Sequence, residues 1–293
     1  MAQINNINMK IKCLQINLQH SRAATDNLTQ IIQTYCIDIV FIQEPYLIHN
    51  RVAGISRNYK IYTYGNNKIR AAIIIVNRNI DALLINQLSD DDTVAVELIY
   101  NGFRFFAASM YLDITEDIKL DLVKLDKILT FTKGTGLLTA MDSNARSTMW
   151  YDVTTNTRGK IMEEYVSANN LYVMNEDSDN TTFESRRGKS NIDLTITNSQ
   201  LFTRLEQWEC SGEESCSDHR YISFSIAQHI AHNTALQFHG TKYIIKRNKL
   251  EEFNLTLKRT FSGKLSNRKS TDEAEYIDDK LCTMLKLKMT LES

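Results

Sequence analysis

Apolar positions recur along the chain with two periods, and each period predicts an element. Alternating or near-continuous apolar runs predict strands at residues 11–17, 37–43, 61–64, 71–76, 93–99, 103–111, 171–174, 191–197 and 221–226. Apolar residues three and four apart predict helices at 25–35 (Leu28, Ile31, Ile32) and 116–131 (Ile118, Leu122, Leu125, Ile128, Leu129). Their expected caps are Thr25 or Asp26 and Thr115. A third helix is expected at 158–169. Asn101-Gly102 is a two-residue hairpin signal between neighbouring strands. Pro45, the single proline, stops a strand at Glu44 and sets the direction in which the chain leaves it. Strands with interspersed helices, several hairpins and no long apolar helix predict a layered α/β sandwich.

The stretch around which this pattern turns is 140–145, Ala-Met-Asp-Ser-Asn-Ala. It follows the apolar run 136–139, which reads as a buried strand ending abruptly in polar residues. If the strand continues, Asp142 and Asn144 project to the same side, because strand side chains alternate. A carboxylate and a carboxamide so placed can hold a water and a phosphate oxygen near a hard metal ion.

Composition narrows the classes available. With 293 residues and 43% hydrophobic content the chain can bury a full core. No apolar run reaches the length of a membrane span, and residues 1–10 are polar and Asn-rich, without an apolar signal core. The five cysteines form no C-x-x-C pair, which predicts neither a disulfide framework nor a zinc site. Net charge is −1, but residues 242–293 hold 12 Lys/Arg against 8 Asp/Glu, leaving 22 against 27 before them. So acidic a body meets a polyanion only through local basic patches or bound cations. The pattern changes near residue 231, which sets an expected domain at 1–230 and a segment at 231–293. That segment holds a polar, His-containing linker (with His229 just before it), a basic stretch at 241–269 and an amphipathic helix at 273–289.

Several predicted strand or segment ends carry polar groups: Asn17, Glu44, Tyr111, Asp142 with Asn144, Asp193 and Asp218-His219. Asp193 stands between apolar neighbours, where a carboxylate is costly to bury unpartnered. In this order, Asn17, Gln43-Glu44-Pro45, Tyr111, Asp142-x-Asn144, Ser190-x-Ile192-Asp193-Leu194-Thr195 and Ser217-Asp218-His219 resemble the motifs of the endonuclease/exonuclease/phosphatase superfamily. Exonuclease III, abasic-site endonucleases and DNase I are members. Trp150 and Arg158-Gly159 make the chain similar to one subset, the endonuclease domain at the N-terminus of non-LTR retrotransposon polyproteins, particularly the site-specific insect elements. The resemblance covers roughly residues 10–227. The basic segment around 248–253 resembles the connector to reverse transcriptase, which is absent here, so a fragment or truncated copy is expected.

The resemblance implies a four-layer αββα sandwich of the DNase I and exonuclease III type, with its site at one edge of two sheets. It also implies an Mg²⁺-dependent DNA endonuclease (Mn²⁺ as substitute) that nicks one strand of double-stranded DNA. The 3′ hydroxyl left behind would prime reverse transcription, and the place of action would be the nucleus. No membrane partner is expected. Glu44 with Asn17 or Asp218 supplies oxygen ligands for the ion. Asp142 orients and deprotonates water, Asn144 fixes that water or a phosphate oxygen, and Tyr111 donates its hydroxyl to phosphate. His219, held by Asp193, stays protonated toward the scissile phosphate. Asn17 is expected among the catalytic residues as well as near the ion, and the identity of the general base stays open. Candidate DNA contacts are Arg146, Arg186, Arg187 and Lys189, with 66–68 beside them.

Three positions depart from the family pattern: Gln19 where an acid is common, Leu112-Asp113 where proline is usual, and Tyr151 in place of glycine. Two other readings stand beside the first. One is an abasic-site endonuclease or other phosphodiesterase of the superfamily, and the other is a decayed, non-catalytic DNA-binding remnant.

Overall fold

In the computed structural model, which describes residues 10–66 and 68–228, strand alternation sorts every core side chain into one of three layers. The elements run in chain order as β1 (Lys10–Asn17), α1 (Arg22–Tyr35), β2 (Ile39–Gln43), the short pair β3 (Leu47–Ile48) and β4 (Arg51–Val52), β5 (Lys60–Tyr62), β6 (Ala71–Ile75) and β7 (Asp81–Leu84). Next come β8 (Thr93–Tyr100), β9 (Phe103–Tyr111), α2 (Ile118–Phe131), β10 (Gly136–Asp142), α3 (Thr157–Ala168) and β11 (Tyr172–Val173). The hairpin β12 (Phe183–Ser185) and β13 (Gly188–Ser190) is followed by β14 (Asp193–Thr197), α4 (Ser199–Phe202), β15 (Leu205–Cys210) and β16 (Ile222–Ala227).

Two six-stranded mixed sheets result, ordered β15-β16-β1-β2-β6-β5 and β11-β14-β10-β9-β8-β7. Ile11 and Cys13 of β1, Ile39 and Phe41 of β2, Phe105 and Ala107 of β9, and Leu138 and Ala140 of β10 meet in the core between the sheets. The residues between them face outward. Leu14, Ile16, Val40 and Ile42 pack on Leu28 and Ile32 of α1. Phe106, Met110, Leu137 and Met141 pack on α2 and α3. This is the expected four-layer αββα sandwich, and its strands read as long apolar runs because both faces are covered.

The predicted elements hold their places with local differences. Ser21 caps α1, its side chain accepting from Ala24 N, while Thr25 is buried and donates its hydroxyl to Ser21 O. Asp117 caps α2 in place of Thr115. Thr115 instead donates to Asp113, which takes it out of the helix. Asn101 (φ 49°) and Gly102 (φ 79°) form the predicted hairpin, the backbone twist that two-residue loops favour. β7 and β15 escaped the pattern because only part of each is buried, Asp81 and Leu83 of β7 being exposed. The segment 231–293, with its expected linker and helix, lies outside the described residues, as do His229 and Asn67.

At one end of the sandwich the inter-sheet face turns from apolar to polar within single strands. After Cys13 come Gln15 and Asn17; after Phe41, Gln43; after Ala107, Ser109 and Tyr111; after Ala140, Asp142. Gln15 Nε2 donates to Met141 O (3.1 Å) and its Oε1 accepts from Thr195 Oγ1 (3.1 Å). Gln43 Nε2 donates to Ser109 Oγ (2.9 Å) and Ala140 O (3.2 Å), and Ser109 donates to Ile42 O. These fully buried bonds cross from one sheet to the other and set their mutual position. Replacing Gln43 by Leu leaves Ala140 O without this donor and should cost about 1–3 kcal/mol of stability. Urea unfolding measures it, as a lower midpoint with an unchanged slope.

Candidate active site

Register places the inward-facing groups side by side. Asp142, the last residue of β10, lies opposite Tyr111 of β9 on one side and Asp193 of β14 on the other. Across the gap, Asn17 at the end of β1 lies opposite Gln43 of β2, so Glu44 follows directly. Asn17 Nδ2 donates to Asp142 Oδ2 (2.8 Å) and to Glu44 Oε2 (3.1 Å), joining one carboxylate from each sheet. Glu44 itself has φ 46°, a strained conformation for a side-chain-bearing residue, and its N–H is held by Arg70 O.

The loop before β16 brings the imidazole. His219 is buried, its Nδ1 lies 3.0 and 2.9 Å from Asp193 Oδ1 and Oδ2, and its Nε2 points at Asp142 Oδ2 across 3.9 Å. An ionised carboxylate only accepts, so Nδ1 carries the proton of that bond. The Phe183 ring meets the imidazole edge to face at 4.9 Å.

Burial and uncompensated acid control the electrostatics. Burial, then the Asp193 charge, push Asp142 up to about 7. Burial pulls His219 down, but the Asp193 charge and hydrogen bond, with Asp142 behind them, outweigh it and lift the imidazole to about 9. Tyr111 is raised well above its ordinary value by burial and the charges of Glu44 and Asp142, so its hydroxyl remains a donor. The Arg70 guanidinium lies 4.8 Å from the Tyr111 ring centre and is paired to Asp92 and Asp113.

Three carboxylates therefore face one imidazolium, and the donors on offer are mostly oxygen. That set fits a hard divalent cation. Two groupings compete for it. Asp142, Asp193 and His219 present ligand atoms within 4.8 Å of one another, but His219 is protonated and its Nδ1 is committed to Asp193. Glu44 is the better anchor: its side chain is 20% exposed and, among the described residues, its Oε1 is paired with His20 Nε2 alone, 3.5 Å away. Of the other predicted ligands, Asn17 turns its nitrogen toward Glu44, because its oxygen accepts from Gln19 N (2.8 Å). Asp218 is exposed, with its carboxylate 3.4 Å from Gln19 Nε2.

Other expectations met different geometry. Asn144 does not continue the strand: its φ is 49°, its N–H bonds Asp142 Oδ1, and its Nδ2 donates to Leu112 O (3.1 Å). Alternation thus places Asp142, whereas an Asx turn places Asn144. Gln19 accepts from Asp218 N (2.9 Å) and donates to its carboxylate, a two-way link that an acid at this position could not make. Tyr151, where the family has glycine, sits at φ 64°, a region that glycine enters without penalty. Asp113, in the usual proline segment, holds Arg70 and Thr115.

The motif residues around Asp142 are braces. Trp150 is buried and donates to Ala145 O and Asn191 O. Arg158 donates to Glu116 O, Leu112 O and Ser143 O, tying the loop after Tyr111 to the end of β10. A Cβ on Gly159 would lie 1.8 Å from Arg146 O, so only glycine lets α3 approach this loop. Gln15, Thr182 and Asp152, which sequence reasoning missed, support the site beside Gln43 of the predicted motif: Thr182 Oγ1 accepts from Ile192 N and Asp193 N. For Gln15 the available signal was a polar residue inside an apolar run.

The predicted DNA contacts divide. Arg186 and Arg187 lie exposed at the tip of the β12–β13 hairpin and form no ion pair among the described residues. Lys189 is paired to Glu184 (2.7 Å), and Arg146 to the buried Asp152 (3.0 Å). Phe183 carries the hairpin directly against His219.

An αββα sandwich with these groups at one sheet end is the fold shared by DNase I-like endonucleases, and the chain is similar to the endonuclease domains of non-LTR retrotransposons. Residues 105–223 match a family model described as Endonuclease-reverse transcriptase. The chain is 23% identical over 224 residues to a putative 115 kDa protein in type-1 retrotransposable element R1DM of Drosophila melanogaster, covering 72% of this chain and 21% of that one. It is 24% identical over 191 residues to a retrovirus-related Pol polyprotein from type-1 retrotransposable element R1 of Bradysia coprophila, covering 61% and 19%. The chain thus spans about a fifth of the length of these relatives. Among solved structures, the endonuclease domain of TRAS1, a telomere-specific non-LTR retrotransposon, has the same fold (TM-score 0.69, 24% identity, 75% of this chain and 99% of that one). So does the AP endonuclease LMAP of Leishmania major (TM-score 0.60, 11% identity, 74% and 88%).

Because His219 binds its proton more tightly folded than unfolded, its contribution to stability is complete below its ordinary 6.5 and is lost as pH rises through about 9. In cation-free protein the imidazole NMR resonances should titrate near 9, and Asp193→Asn should bring them down toward or below 6.5. A wild-type midpoint near 6.5 contradicts the assigned pair.

Proposed function

We propose that the chain is an Mg²⁺-dependent endonuclease that nicks one strand of double-stranded DNA in the nucleus and leaves a 3′ hydroxyl able to prime reverse transcription. The observation that carries this reading is the bridge from Glu44 through Asn17 to Asp142, with His219 held by Asp193 on the far side of Asp142. Residues 1–230 form the catalytic domain, and 231–293 lead toward the reverse transcriptase of the longer polyproteins.

Glu44, with Asp218 as second oxygen donor, would hold the cation, which when bound supplies positive charge to the phosphate oxygens and the departing 3′ oxygen. The chain's own groups do the rest. Asp142 takes a proton from a water, and burial makes it basic enough for that near neutral pH. The water oxygen bonds to phosphorus as the P–O3′ bond breaks. Asn17 holds Asp142 in place, and Asn144 steadies the same carboxylate through its backbone N–H. His219 and Tyr111 place N–H and O–H donors against the oxygens that gain charge.

Supercoiled plasmid should be nicked with Mg²⁺ (and with Mn²⁺) and left intact with EDTA. Asp142→Ala and His219→Ala should each lower the rate at least about a hundredfold. An abasic oligonucleotide cut far faster than intact duplex would favour a repair endonuclease instead. DNA bound but never cut would favour a non-catalytic remnant.

Arg186→Ala with Arg187→Ala should weaken nicking or relax the choice of site, with the magnesium requirement unchanged. The nick positions on a mapped target are the measurement, and an unchanged pattern removes the hairpin tip from recognition.

A further inference from the structure

Among the described residues, the two most exposed large apolar side chains are Val153 (85%) and Ile114 (63%). Neither sits on a random stretch of surface. Ile114 is on the loop that follows Tyr111, and Val153 is on the loop that follows Trp150, so both loops flank the Asp142–Asn144 turn. Both are rigid. Arg158 binds the Ile114 loop to Ser143 O, and Asp113 binds it to Arg70 and Thr115. The Val153 loop is pinned by the buried Asp152, which accepts from Arg146 Nε, Thr154 N and Asn191 N (2.8–3.1 Å).

A scattered surface valine needs no explanation. Two apolar tips, each on a loop hydrogen-bonded to the segment that follows Asp142, do. Val153 directly follows Asp152, the partner of Arg146, whose side chain is 37% exposed, and Arg186 and Arg187 are exposed at the tip of the hairpin whose Phe183 meets His219. Cations attract a phosphate backbone without reading it, whereas a short apolar side chain can press on sugar faces or wedge between base steps.

We propose that Ile114 and Val153 are a pair of apolar wedges that contact the interior of a groove of duplex DNA on either side of the scissile phosphate, favouring steps that unstack easily. The proposal rests on the nuclease reading above for its substrate. It predicts specificity from deformability at base steps that no polar side chain touches.

The test uses the 293-residue chain, wild type and Ile114→Ser with Val153→Ser. Fluorescence anisotropy on a 40-base-pair duplex of random sequence, in EDTA at several salt concentrations, gives affinity and salt slope. Nick positions on a supercoiled plasmid with Mg²⁺ give site choice. The double variant should bind about tenfold more weakly, with an unchanged salt slope and melting temperature, and should spread its nicks over more steps. Unchanged affinity, or a slope that falls together with it, overturns the wedges. So does failure of the wild type to bind duplex at low salt, which would leave the tips to a protein partner. A wild type that binds but does not nick defeats the nuclease reading, and the anisotropy comparison then decides the wedges alone.

Discussion

The site depends on how one sheet lies over the other, and that is set by a seam of buried amides and hydroxyls. An apolar interface between sheets is nearly indifferent to small slides, because dispersion and burial have no direction. Gln15, Gln43, Ser109 and Thr195 remove that freedom, since each bond has a preferred length and angle and loses most of its worth when broken in a dry interior. The last link of the seam is Asn17 between Asp142 and Glu44. The groups that align the layers are therefore continuous with those that face the substrate.

The charges make sense only with that alignment in place. Asp142 and Asp193 are neighbours on adjacent strands, and burial together with the second carboxylate works against ionising Asp142. The conflict is eased by one proton, held on His219, and by the N–H of Asn17. What remains is a surplus of acid open to solvent through Glu44, a standing attraction for a hard cation in a body that is acidic as a whole. Burial, together with the same surplus, raises the hydroxyl of Tyr111 and keeps it a donor.

Around this centre, backbone geometry decides where loops can go. Gly159 lets α3 reach the carbonyl of Arg146, and Arg158 then holds Ser143 and Leu112 from behind. Asp152 does the same for the loop after Trp150. The hairpin that bears Arg186 and Arg187 grows from Phe183, against the imidazole itself. Rim and centre are thus joined by hydrogen bonds and packing rather than merely adjacent.

Much of this was legible in the residues alone. Apolar periodicity was enough to locate the central strands and three helices, and the polar ends of the strands marked Asn17, Glu44, Tyr111, Asp142, Asp193 and His219, because period two and burial are local properties of a strand. β7 and β15 were not visible, being partly exposed and lacking that rhythm. The direction of Asn144 was misjudged because a left-handed turn interrupts alternation. Which face Asn17 offers, which arginines are already paired, and that Asp152 and Thr182 matter at all, are decided by partners remote along the chain. Those partners meet only when two sheets close on each other, so tertiary structure alone could assign them.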